Sequence, residues 1–199
     1  MLTAAHDRAQ RGVSLIEMLI GLAIIGILAG LGVPTYRDWI QNAQIRNAAQ
    51  SLLQGLQMAR SNAVRRNEFV SLNLTGSSSG EPNWRVDCFN ATANCPTNIL
   101  AWTNAEGAAN VKIGASTAVQ AAGAYATPLG TGAGVAGGVV TFNGTGRVAT
   151  VGTGITRIDV MNPQLVVADQ RRLVLIITAG GAVRMCDPKL SAGAPGACS

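Results

Sequence analysis

From Arg11 to Pro34 the chain reads RGVSLIEMLIGLAIIGILAGLGVP, apolar from Val13 to Val33 apart from Ser14, Glu17 and the glycines. A run of that length is enough for a helix to cross a hydrocarbon core about 30 Å thick. Two details separate it from a plain anchor or a secretory signal. A carboxylate, Glu17, stands inside it, and a charged group within a membrane costs roughly 2.5–3.5 kcal/mol even on lenient scales. The small residue Gly12 stands before the run, whereas a secretory signal carries its small-residue cleavage site after it. Cleavage after Gly12 leaves the apolar helix on the mature chain and makes the α-amine of Val13 its N-terminus. A buried carboxylate needs a cationic partner, and a free amine in the same apolar slab supplies one.

Charge and cysteines place the rest of the chain. Arg8 and Arg11 precede the run and fit an orientation with the N-terminus in the cytoplasm and the bulk of the protein outside the membrane. The four cysteines, Cys88, Cys95, Cys186 and Cys198, are an even set suited to an oxidising compartment. Three pairings are open. Cys88–Cys95 with Cys186–Cys198 is preferred because each pair brackets a polar or Gly/Pro-containing loop. Zinc is disfavoured, since the spacings are far from paired CxxC motifs. The net charge of +5 is a mild basic bias that permits contact with nucleic acid or an anionic surface without demanding it.

The single histidine, His6, lies in the leader. A chain that loses the leader has no histidine for Ser-His-Asp or Cys-His catalysis or for a His-ligated metal. Asp159, Asp169 and Asp187 stand in no catalytic motif and read as solvated surface carboxylates. No cofactor, metal or enzymatic activity is expected.

Beyond Pro34 the pattern stays helical. Ile45, Ala49, Leu52, Leu56, Ala59 and Ala63 recur at steps of four and three, an apolar stripe with Arg37, Arg46, Arg60, Arg65 and Arg66 mostly off it. The whole helix, Val13 to Arg66, would be on the order of 80 Å long. Gly26 and Gly30 form a small-xxx-small pair that permits close helix approach and is equally at home in any membrane helix. Arg60, Arg65 and Arg66 read as a solvated helix end that suits the C-terminal dipole.

From Glu68 the period changes to two. Strands are expected at Val70–Leu74, Trp84–Cys88, Asn98–Thr103, Val139–Phe142, Arg147–Val151, Thr156–Met161, Leu173–Thr178 and Ala182–Cys186. Residues 178–182, TAGGA, read as the turn of a final hairpin. Half of the 24 glycines lie between Gly107 and Gly154, and long irregular loops with short strands are expected in the Ala/Gly-rich, weakly patterned region Ala105–Gly138.

Gly12, Val13-Ser14-Leu15-Ile16-Glu17 and Pro34 together resemble the N-terminal signal of type IV pilins and type II secretion pseudopilins. Counting from Val13, Glu17 is fifth and Pro34 twenty-second, where pilins often carry a helix-bending proline. Val13 stands where the family usually has Phe. In the second half, VVTFNGTGRV followed by RRLVLIITAGGAVRMCDP is similar to the GspH/FimT group of minor pilins and minor pseudopilins. The resemblance implies an α+β fold, a long N-terminal helix packed on a C-terminal antiparallel β-sheet domain. The expected divisions are 1–12 leader, 13–34 transmembrane helix, 35–66 amphipathic helix and 67–199 periplasmic β-domain. It also implies cleavage after Gly12 by a prepilin peptidase and methylation of Val13. Glu17 would then offset a neighbouring subunit's amine.

The expected partners are other minor and major pilins or pseudopilins and the inner-membrane assembly platform. The expected function is a minor type IV pilin that helps initiate or assemble a pilus for twitching or adhesion. The alternative is the H-type minor pseudopilin of a type II secretion system; the Cys186-Asp187-Pro188 ending favours the pilus type. Some FimT-like pilins bind DNA through a C-terminal GRxR motif. Here the matching residues are Gly181-Ala182-Val183-Arg184, one arginine short. Candidate DNA contacts are Arg147, Arg171, Arg172, Arg184 and Lys189, gathered into one region if the last two strands pair. The competing reading of these residues is a solvated basic edge that blunts aggregation.

Overall fold

The computed structural model describes residues 12–92, 94–121, 123–149 and 154–198, without the side chains of 31–35. The leader up to Arg11, and Thr150 and Val151 of one expected strand, lie outside the described residues. The chain divides into two compact units, Met1–Arg37 and Asp38–Ser199.

One helix, α1, covers Leu15–Arg66, 52 residues. In the first unit its apolar residues from Leu15 to Leu28 are more than half exposed. In the second unit the stripe foreseen from the period is the helix's buried face: Ile45, Ala49, Leu52, Leu56, Ala59 and Ala63 are all fully buried, joined by Ala48. Glycine and alanine on this face bring strands close. A Cβ on Gly55 would sit 2.9 Å from Leu72 and 3.0 Å from Trp84.

Among the described residues eight strands follow, in two antiparallel four-stranded sheets. The first has the order β3-β2-β1-β5, from β1 (Val70–Leu74), β2 (Trp84–Cys88), β3 (Leu100–Trp102) and β5 (Val139–Phe142). The second has the order β4-β6-β7-β8, from β4 (Lys112–Ser116), β6 (Arg157–Met161), β7 (Leu173–Ile177) and β8 (Val183–Cys186). The fold is α+β, and the β-domain holds two sheets. Alternation sends Val70, Leu72, Leu74, Trp84, Val86, Val140 and Phe142 of the first sheet into the same core as Ile113, Ala115, Ile158, Val160, Leu175 and Ile177 of the second.

One expectation is corrected. Arg147–Val151 forms no strand among the described residues; Val148 makes an isolated bridge to Phe142. β4 is a short strand inside the Ala/Gly-rich segment, where short strands between loops are expected. Its outer edge is closed by other loops: Ile113 N–H donates to Gly80 O, Gly132 N–H to Ile113 O and Ala115 N–H to Ala133 O.

The final hairpin forms as expected, with Thr178 N–H bonded to Ala182 O and β7 paired to β8 from Val174↔Cys186 to Ile177↔Val183. Gly181 takes φ +80°, and a Cβ there would lie 1.9 Å from Gly146 O. Backbone conformation and space both demand glycine there.

Cys88 is bonded to Cys95 and Cys186 to Cys198. The second bridge holds the C-terminal segment against the outer face of the second sheet, where Cys186 packs with Tyr125, Val174 and Ile176. Replacing both Cys186 and Cys198 by serine is expected to cost about 2.5–3 kcal/mol for a loop of this size, read from urea unfolding of the oxidised protein. An unchanged midpoint would show that the tail is held by its other contacts alone.

Candidate assembly and contact surfaces

The N-terminal candidates sit on a simple frame. Gly12, Val13 and Ser14 precede α1, and Met18 N–H bonds back to Ser14 O at 3.2 Å. Glu17 therefore falls in the first turn, where unsatisfied N–H groups and the helix dipole favour a negative charge. Its side chain is exposed, and among the described residues it has no ion-pair partner. Gly21, Gly26 and Gly30 have nothing of their own chain within reach of an added Cβ. Backbone α1 continues through Pro34. Among the described residues no helix is long and apolar enough to cross a membrane. The sequence run extends to Val33, whose side chain lies outside the description.

Of the basic residues at the end of α1, Arg60 and Arg65 are exposed, and Arg60 and Arg66 also reach loops. Arg60 Nε donates to Gly146 O at 3.0 Å, Arg66 Nη1 donates to Asn94 O, and Asn62 Oδ1 accepts from both Arg65 and Arg66.

The five C-terminal cations are not gathered into one region. Arg147 lies beside the β7–β8 turn, since Val148 N–H bonds Ala179 O. Arg184 is exposed on β8 opposite Ile176, toward the same end. Arg171 and Lys189 belong to the other end of β7, about 17 Å away by strand rise. Arg171 N–H donates to Asn42 Oδ1, and Lys189 Nζ donates to Val167 O and Ala168 O. Arg172 is buried and is unavailable as a surface contact.

Asp159, read from sequence as solvated, is completely buried between two arginines. Strand register explains the group. Arg157 and Asp159 alternate onto the outer face of β6, and the pairing Asp159↔Val174 puts Arg172, two residues before Val174, on that face too. Asp159 accepts from Arg157 Nε at 2.6 Å, Arg157 Nη2 at 2.9 Å, Arg172 Nη1 and Leu129 N–H at 3.0 Å. The remaining guanidinium N–H groups reach the loop that covers the sheet. Arg157 bonds Ala124 O and Thr127 O, and Arg172 bonds Tyr125 O and Ala126 O. Arg157 also lies over the Tyr125 ring, 5.2 Å from its centroid. Burial pushes the pKa of Arg172 down from its ordinary value, and Asp159 pulls it back up. Gly114 faces Asp159 across β4; a Cβ there would meet Gly130 O at 2.5 Å, so its absence lets the loop close. The ion group is structural: it nails an Ala/Gly-rich segment with little apolar surface of its own onto a sheet. A strand with Arg and Asp on one face reads as solvent-facing, and nothing local in the sequence reveals the covering loop.

Residues 48–181 match the family model described as type II transport protein GspH. The chain belongs to the GspH family. Residues 7–33 match the prokaryotic N-terminal methylation motif, so this family member also carries the processing signal at its start. Curated relatives match over short stretches. The chain is 52% identical over 40 residues to a fimbrial protein of Moraxella nonliquefaciens, covering 20% of this chain and 26% of that one. It is 45% identical over 47 residues to the type IV major alpha-pilin of Moraxella bovis, covering 24% and 30%. The chain thus spans less than a third of the length of these relatives. Among solved structures, the type IV minor pilin FimU of Pseudomonas aeruginosa is similar at 16% identity with a TM-score of 0.48, covering 76% of this chain and 97% of that one.

Proposed function

We propose that this GspH-family chain is a minor subunit of a type IV pilus, anchored by a single N-terminal span in the inner membrane until it enters the filament. The observation that carries the reading is Glu17: a carboxylate with no partner among the described residues of its chain, on the first turn of a helix whose large apolar side chains from Leu15 to Leu28 are more than half exposed. Such a surface is stable only when lipid or other helices cover it. Prepilin peptidase cuts after Gly12 and leaves the amine of Val13, which is methylated. In the filament that amine, from one subunit, meets Glu17 of its neighbour. The bare glycines Gly21, Gly26 and Gly30 allow the close helix approach this requires. Arg8 and Arg11 hold the N-terminus inside, and the bridged β-domain lies in the periplasm.

Mass spectrometry of the membrane-extracted protein is expected to show Val13 as the N-terminus, carrying a methyl group. A mature chain retaining residues 1–12 would sink the reading.

A second reading is the H-type pseudopilin of a type II secretion system, favoured by the description of the matched family. The two use the same helix chemistry and part on phenotype. Deletion that stops twitching or transformation and spares secretion supports the pilus; the reverse result supports the secretion filament.

DNA contact is a further proposal, restricted to Arg147 and Arg184 at the turn end of the second sheet. Phosphate contacts give salt-dependent binding that ignores base identity. In gel shifts with the full chain at two salt concentrations, Arg147→Gln with Arg184→Gln should weaken binding on every sequence and lower the salt slope by about two units. No shift at low salt would leave the subunit a filament component only.

A further inference from the structure

Three segments of the second unit that carry exposed apolar side chains are fastened to one another by hydrogen bonds. The β6–β7 loop, residues 162–172, is fastened to the start of the domain's helix by Asn42, which donates to Asp169 O and accepts from Arg171 N–H, and by Gln41, which accepts from Asn162 Nδ2. Trp39 lies one turn before Asn42 on the same side of the helix and is 66% exposed. The loop carries Val166 and Val167, 70% and 79% exposed. The C-terminal segment joins through Lys189, whose Nζ bonds Val167 O and Ala168 O, and the next residue, Leu190, is 43% exposed.

The side chains of Val166 and Val167 are turned outward, whereas Leu165 beside them lies in the core. Their neighbourhood is defined by chain length. Trp39 follows Val33 by six residues, and six residues span at most about 21 Å in any conformation. A tryptophan with exposed aliphatic neighbours on so short a tether from a membrane-embedded run matches the composition of the lipid interface, where the indole ring is favoured. The charges nearby balance: Arg171 and Lys189 are matched by Asp38 and Asp169.

We infer that Trp39, Val166, Val167 and Leu190 form a membrane-resting surface, by which the β-domain of the unassembled subunit docks on the lipid headgroup layer. The inference rests on the proposed insertion of the apolar run. The contact is apolar, so it is insensitive to salt and needs no anionic lipid. It holds the domain at the membrane and is broken when the subunit is drawn into a filament.

The test uses the full chain in phosphatidylcholine vesicles that carry nitroxide quenchers either at the headgroup or deep in the acyl chain. An environment-sensitive fluorophore is placed at Val167→Cys, at Val119→Cys as an 89%-exposed control, or at Ile20→Cys to report the apolar run. The label at 167 is expected to shift to the blue and to be quenched by headgroup nitroxides about twofold more than the label at 119, at low and high salt alike. Adding Trp39→Ser and Val166→Ser should return it toward the solvent value. If the label at 20 is quenched by deep nitroxides while that at 167 behaves like 119, the docking surface is wrong and the membrane anchor stands. If the label at 20 is not quenched, the anchor fails and the docking falls with it. Protection of 167 that grows with protein density, or vanishes at high salt, would also overturn the inference, assigning the patch to another protein or to charge.

Discussion

Asp159→Ala is expected to destabilise the β-domain by about 3–5 kcal/mol, the range for removing one partner of a buried ion group. The carboxylate is completely buried, and its hydrogen bonds come from the buried guanidiniums of Arg157 and Arg172 and from the Leu129 N–H. Truncation leaves two cations buried side by side with only carbonyl oxygens around them. The direction is already visible in Arg172, whose charged form burial disfavours and Asp159 restores. Loss of Asp159 should therefore loosen residues 120–129 as well as lower global stability. The measurement is denaturant unfolding of the oxidised protein together with hydrogen exchange across that segment. The opposite experiment separates pairing from packing. Converting Arg157, Asp159 and Arg172 together to apolar residues of similar volume should cost much less than Asp159→Ala alone, since no uncompensated charge remains. A loss below about 1 kcal/mol for Asp159→Ala would mean that water enters and solvates the arginines.

Glu17→Ala is expected to abolish most incorporation into filaments while leaving the domain folded. The two effects separate because Glu17 has no ion-pair partner in its own chain among the described residues and sits in the unit Met1–Arg37. Removing the carboxylate makes the apolar run cheaper to insert, by roughly 2.5–3.5 kcal/mol on lenient scales. A defect in assembly therefore cannot be blamed on failed insertion. On the proposed pairing, what is lost is the attraction to a neighbour's Val13 amine, strong in a low-dielectric fibre core. The readout is the amount of protein in sheared filaments, with the membrane pool as control. Glu17→Asp, one methylene shorter, should restore part of the incorporation. An alanine variant that assembles and complements a deletion as wild type does would remove Glu17 from assembly.

Much of this was legible along the chain because it depends on local period or local spacing. The buried stripe Ile45 to Ala63 follows from helix geometry alone, and the strands from Val70 to Cys88 from a period of two. The hairpin across Gly180-Gly181 follows from turn chemistry, and the signal around Gly12 and Glu17 from fixed offsets. What escaped was everything set by what lies on top. Strand β4, KIGAS, is legible only as an unplaced short strand of its region, because Gly114 leaves room for Leu129 and Gly130 and small residues carry little strand signal. Asp159 and Arg172 look like surface charges because one-faced polarity normally means water. Here a loop from elsewhere in the chain replaces the water with its own carbonyls. The cations expected to form one edge are divided between the two ends of β7, because register decides which end each residue reaches. Periodicity determined which residues turn inward; only the tertiary structure decided what waits on the other side, since burial of a polar face depends on long-range chain placement that no local pattern encodes.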